Sequence, residues 1–136
     1  MIRISLLIIT LLFSGVVFAE YKTQDAILSD FKKYSAADAK MGNEHLADMV
    51  VKVQQAVDFA MKNKSTSNDL LREIGRVSSI TLKNDPSAAV GEVLVPLYKR
   101  DPAAFEKSLK SLPKTDAREV IRAVKDAVKE QDSGNG

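Results

Sequence analysis

From Thr23 onward the apolar residues recur at helical spacing, and no stretch alternates apolar and polar for long enough to make a strand. Ile27, Phe31, Tyr34 and Met41 follow one another at intervals of four, three and seven. Thr23 stands where an N-cap belongs, Gly42 where a positive-φ stop belongs, and Asn43 can cap the next start. The run Ser35-Ala36-Ala37-Asp38 allows the first helix to break earlier, and the sequence leaves both readings open. The next stripe, Leu46, Met49, Val50, Val53, Val57 and Ala60, is the clearest in the chain, with Asp48, Lys52, Gln55 and Lys62 mainly off it. Residues 63–68 are small and polar and predict a loop, with Thr66 and Asp69 spaced as a capping start. A third helix follows with Leu70, Leu71, Ile74, Val77 and Thr81, to about Leu82.

Asp85-Pro86 and Asp101-Pro102 carry one signal twice, sixteen residues apart. Proline at the first helical position loses no needed hydrogen bond, and the aspartate before it can accept from the free N–H groups. Both therefore predict helix starts. The first of these helices stacks Val90, Val93, Leu94 and Leu97, and Pro96 is expected to end or kink it after one or two turns. The second presents Phe105, Leu109 and Leu112 and stops at Pro113. The spacing is not a tetratricopeptide unit, because the aromatic residue and Leu-Gly pair of its first half are missing near Asp85 and Ala88-Ala89. Asp116 with Glu119 reads as a capping box opening a last helix with Val120, Ile121, Val124, Ala127 and Val128 on one face. Residues 131–136 are polar and predict a disordered tail. The expected fold is all-α: one compact domain over residues 20–130, of about five to six helices, three longer and then three short.

Ahead of this domain lies a different composition. Arg3 precedes an apolar run over residues 4–13, and Val17-Phe18-Ala19 supplies small residues before Glu20. This is the pattern of a secretory signal peptide over residues 1–19, too short for an ordinary membrane span and without a cysteine for a lipid anchor. A retained anchor is the competing reading. The expected location is the periplasm of a Gram-negative bacterium, with no stable membrane insertion after cleavage.

Beyond residue 19 the chain carries 19 basic and 18 acidic side chains. Near balance argues against nucleic acid as a partner, since that affinity rests on excess Lys and Arg. There is no cysteine, so stability must come from apolar packing rather than disulfides. His45 is the single histidine, placed in a polar run and expected to be solvated, so neither a metal site nor a nucleophilic triad is expected. The six glycines are dispersed, with no phosphate-cradling loop, and no cofactor is expected. Asp38, Glu44, Asp48, Asp58, Asp69 and Glu73 each have a capping or surface explanation.

Two features suit a protein partner. Arg118, Arg122, Lys125 and Lys129 form a basic edge on the last helix, extended by Lys107, Lys110 and Lys114. Glu119 and Asp126 lie within helical pairing distance of Arg122, so self-pairing is the plainer reading of that edge. Val51 and Phe59 lie off their helix's stripe and offer a second apolar edge, suited to a broad core contact or a homodimer. Gly75, Ser78 and Ser79, matched by Ala88, Ala89 and Gly91, predict close packing of the third and fourth helices, with a helix-accepting groove as the functional alternative. The favoured function is a non-enzymatic interaction protein: an adaptor, an inhibitor or a toxin-immunity protein. A periplasmic chaperone or stress protein and a carboxylate-dependent hydrolase are the alternatives. Mass spectrometry of the exported protein is expected to find Glu20 as its first residue. A first residue before Ser14 would refute the cleavage.

Overall fold

A computed structural model describes residues 20–85 and 87–134. The expected leader, residues 1–19, lies outside the described residues. The chain forms six α-helices: α1 Gln24–Phe31, α2 Asn43–Met61, α3 Asn68–Leu82, α4 Ala89–Arg100, α5 Pro102–Ser108 and α6 Lys114–Gly134. Two 3₁₀ turns, Ala36–Lys40 and Leu109–Ser111, sit between them, and no strand occurs among the described residues. α3 is the central element, touching every other helix and both 3₁₀ turns. Its residues Leu70, Ile74, Val77 and even Ser78 and Thr81 are buried. The two hydroxyls are satisfied locally, Ser78 donating to the Ile74 carbonyl at 2.7 Å and Thr81 to that of Ser78 at 2.8 Å. α4 lies against α2 and α6, so one core runs from Phe31 through Met49 and Ile74 to Leu94, Leu109 and Val124.

The early break of the first helix is the one that forms. Thr23 caps α1 by accepting from the Ala26 N–H at 3.1 Å, but α1 ends at Phe31. The Ser35 N–H donates to the Asp38 carboxylate at 2.6 Å and the Asp38 N–H to the Ser35 carbonyl at 2.9 Å, a local alternative to continuing the α-helical ladder. Met41 is consequently 63% exposed rather than on the core stripe. Gly42, at φ +103°, is the residue before α2, and Asn43 is its first helical residue rather than its cap.

The last carbonyls of a helix have no partner within it, and at the ends of α1 and α2 arginines from far along the chain add to the local bonds there. Arg76 of α3 donates to the carbonyls of Phe31 at 2.7 Å and Tyr34 at 2.8 Å, its guanidinium held by Glu73 at 3.0 and 3.1 Å. Arg100 at the end of α4 donates to Ala60 at 3.2 Å and Asn63 at 2.8 Å, closing the C-terminus of α2. Arg100 also engages the Thr66 hydroxyl. Thr66 is therefore not the cap of α3; Ser67 takes that place, accepting from the Leu70 N–H at 3.2 Å.

The two Asp-Pro signals end differently. Asp101 caps α5 as expected, accepting from the Ala104 N–H at 3.0 Å with Pro102 first in the helix. α4 begins only at Ala89. The Asp85 carboxylate accepts from the N–H groups of Ser87 at 3.0 Å and Ala89 at 3.1 Å, and Ala88 takes a left-handed φ of 52° before the helix starts. Pro86 itself lies outside the described residues. Pro96 does not end α4, which runs on to Arg100. Pro96 is exposed, so its ring faces away from the core, while Val95 and Leu97 on either side are buried and hold the helix.

The order of helix lengths also differs from three longer and then three short. α1 and α5, with 8 and 7 residues, are the short ones, and α6, with 21, is the longest. α6 starts two residues before Asp116, so Asp116 and Glu119 form no capping box. Instead they receive the Lys83 ammonium at 2.7 and 3.1 Å, fixing the end of α3 to the start of α6. The stretch expected as a tail is helical to Gly134, and Lys99 reaches Asp132 there at 3.5 Å.

The small residues allow close approach, but not chiefly between α3 and α4. A Cβ on Gly91 would stand 2.6 Å from the Ala123 carbonyl oxygen, on the backbone of α6. A Cβ on Gly75 would meet a Leu109 methyl at 2.2 Å. These contacts predict opposite tolerance. Gly91→Ala gains about 1 kcal/mol of helix propensity but forces two backbones apart, at a cost of about 1–3 kcal/mol. A net loss is expected in denaturant unfolding. Gly75→Ala meets only the end of a side chain that can rotate, so it is expected to cost less. Gly91→Ala as stable as the parent would show that the α4–α6 contact yields freely.

Candidate interaction surface

Arg118, Arg122, Lys125 and Lys129 are all exposed along one edge of α6. The expected pairing of Arg122 with Glu119 and Asp126 does not form. Glu119 is turned to Lys83, and among the described residues no carboxylate lies within 4.0 Å of Arg118, Arg122 or Lys129. Only Lys125 has an ion partner, Glu106 of α5, at 3.8 Å. Asp116 and Glu119 of α6 are thus drawn to α3, whereas Arg118 and Arg122 stay free of ion partners among the described residues, with Asp126 exposed beside them.

Beside this edge runs an open groove of about 610 Å³ between α5, the 3₁₀ turn Leu109–Ser111 and the N-terminal half of α6. Leu109 is fully buried and forms the floor; Leu112, Ala117 and Ile121 are half-buried walls. Lys110, Lys114, Arg118 and Glu106 stand on the rim. The sequence reading named Lys110 and Lys114 as extensions of the edge but not the groove between them. One signal was present: Val120 and Ile121, like Ala127 and Val128, make a stripe too wide for a single neighbouring helix. Lys107 is exposed on α5 but does not line the groove.

Of the Val51–Phe59 edge, Phe59 makes a core contact and Val51 stays at the surface. Phe59 is half-buried against the core and lines hollows shared with Gln24, Leu70 and Tyr21, whereas Val51 is 37% exposed. Met61, also exposed, is ten residues from Val51, about 15 Å along α2. These are single apolar residues rather than a patch. Glu44, Asp48 and Asp58 are exposed on α2, with no hydrogen bond joining them; Asp58 accepts from Gln54 at 2.9 Å.

Two polar clusters lie around α1 and the first 3₁₀ turn. His45 is half-buried rather than solvated: its Nε2 is 2.8 Å from the Asp38 carboxylate, and its ring meets Tyr34 edge-on at 6.1 Å. The Ser35 N–H first, and then His45, hold the Asp38 carboxyl below the usual carboxylate range. Tyr21 donates to Asp30, with Lys52 3.6 Å from the same carboxylate. Burial works to raise the Asp30 carboxyl, but the bond from Tyr21 and the charges of Lys52 and Lys33 outweigh it and leave it low. Burial, helped by Asp30, drives the Tyr21 phenol upward, and burial with Asp30, Asp48 and Asp38 pushes Tyr34 up to about 12. Among the described residues no group of three or more His, Cys, Asp or Glu is placed to hold a metal ion. No described helix is long and apolar enough to cross a membrane.

A lowered folded-state pKa contributes stability above the unfolded value, about 3.9 for aspartate, and that stability is lost as pH falls through the folded value. The parent is therefore expected to lose thermal stability progressively below about pH 4. Asp38→Asn should be less stable at neutral pH and should show a shallower acid limb, followed by circular dichroism. Parallel limbs would show that Asp38 contributes nothing to acid unfolding.

Set against known proteins, the chain matches no protein-family model, no curated protein and no solved structure.

Proposed function

We propose that the protein is an exported, non-enzymatic interaction protein, of the adaptor, inhibitor or toxin-immunity kind, that engages a protein partner through the basic edge of α6. One observation carries the reading. Arg118, Arg122 and Lys129 are exposed with no carboxylate within ion-pair distance, although the same helix holds enough acids to neutralise them. Charges left unpaired on a rigid, 21-residue helix form a fixed positive strip. Such a strip costs little to align and steers an acidic partner into register. The leader-like composition of residues 1–19 supports action outside the cytoplasm.

The test uses protein beginning at Glu20, immobilised and presented with envelope extract. Arg122→Glu with Lys125→Glu reverses two charges that lie off the Val120–Val124 stripe, so helicity should not change. Association of the retained partner is expected to slow by about tenfold or more. Retention by the parent should also weaken as ionic strength shrinks the Debye length from about 10 Å towards about 3 Å. A partner retained equally by parent and double variant would remove α6 from the interface.

A further inference from the structure

We propose that the groove beside the basic edge receives an acidic amphipathic helix of the partner protein. The inference rests on the interaction reading above and names what the partner presents. The groove is apolar within and cationic at its margin, with Leu112, Ala117 and Ile121 as walls over the Leu109 floor and Lys110, Lys114 and Arg118 around them. Glu106 is the one carboxylate on that margin, and Lys125 lies 3.8 Å from it. The acids of α6 that could neutralise this side, Asp116 and Glu119, are held on the opposite side by Lys83. An occupant must therefore bring both aliphatic side chains and negative charge.

The conformation of the occupant follows from what the groove lacks. It has no strand edge to pair with an extended peptide, because no strand occurs among the described residues. A helix satisfies its own backbone bonds and needs only side-chain contacts, with aliphatic anchors at i, i+3, i+4 and i+7. The site is concave and carries a carboxylate, which disfavours a flat anionic membrane. A second copy of this chain could offer the acidic face of α2, Glu44, Asp48 and Asp58, but the exposed large apolar residues of that helix, Val51 and Met61, are ten residues apart, about 15 Å, and do not form the continuous apolar stripe the walls need. Such a contact would also be head-to-tail rather than a two-fold dimer.

The experiment uses protein beginning at Glu20 and three fluorescent synthetic helical peptides: leucine anchors flanked by glutamates, the same anchors flanked by lysines, and the glutamate peptide with its leucines changed to serine. The glutamate–leucine peptide is expected to bind by anisotropy, with amide shifts concentrated at Leu112, Ala117 and Ile121, and the other two to bind at least about tenfold more weakly. Lys114→Glu and Arg118→Glu, both exposed, should each weaken binding by about tenfold with unchanged circular dichroism. Equal binding of the glutamate and lysine peptides, shifts away from the groove, or preference for phosphatidylglycerol vesicles would overturn the proposal. Concentration-dependent self-association abolished by Arg118→Glu would overturn it in favour of a second copy. If Arg122→Glu with Lys125→Glu abolishes envelope capture while no peptide binds, the groove proposal fails and the basic edge stands. If both tests are negative, both fail.

Discussion

The backbones of α4 and α6 touch at Gly91 and Ala123, and the placement of the candidate surface depends on that approach. Any side chain at position 91 would stand closer to the Ala123 carbonyl than atoms tolerate. With none there, α6 lies along α4 over much of its length, burying Val120, Val124 and Ala127 on one side. The rotation of α6 is then set, which leaves Arg118, Arg122, Lys125 and Lys129 facing outward. Lys83 adds a second restraint at the start of α6 through Asp116 and Glu119, whose hydrogen bonds hold its ammonium more firmly protonated than usual. The notch at Gly75 is a third, seating Leu109 on the central helix so that it becomes the floor of the groove.

The remaining architecture joins helix ends across the chain. The last carbonyls of α1 and α2 accept local bonds, Phe31 from the Tyr34 N–H at 3.0 Å and Ala60 from the Asn63 N–H at 3.1 Å, and long-range side chains add a second bond to each. Arg76 and Arg100 do this from elements 37 to 45 residues away, and each guanidinium ties two elements together while satisfying two backbone groups. Planar, multi-donor geometry suits arginine to this task in a way lysine cannot match. Asn84 extends the same pattern by donating to the Ala39 carbonyl. A chain without cysteine thus replaces disulfide cross-links with long-range side-chain caps over an apolar core.

Positive charge and apolar surface meet at the N-terminal half of α6. Neither is unusual alone: charged helical faces are ordinarily solvated, and single exposed aliphatic residues are common. Their coincidence in a concave setting, with the neutralising acids drawn off to α3, is what distinguishes this surface from the acidic face of α2. There, Glu44 and Asp48 line no hollow among the described residues, and Asp58 lines only a small one with Glu20, Tyr21 and Phe59.

The fold class, the number of helices and most of the core were legible in the sequence, because helical periodicity is a local property. Leu46, Met49, Val53, Val57, Leu70, Ile74, Val90, Leu94, Phe105 and Val124 are buried where their spacing put them. Caps were legible only where no second group competed. Thr23 and Asp101 cap as their positions imply, but Thr66 goes to Arg100, and Asp116 and Glu119 go to Lys83. The basic edge was visible as a spacing, yet whether it would neutralise itself was not. An i,i+4 pair is worth only a few tenths of a kcal/mol, so a competing partner from another helix readily takes one member. Of the groove, only the over-wide stripe of the last helix was legible in the chain, since its walls come from two segments brought together in the fold. Local pattern decided which residues are helical and which face is apolar; tertiary contact decided which polar groups were consumed and which were left free to bind.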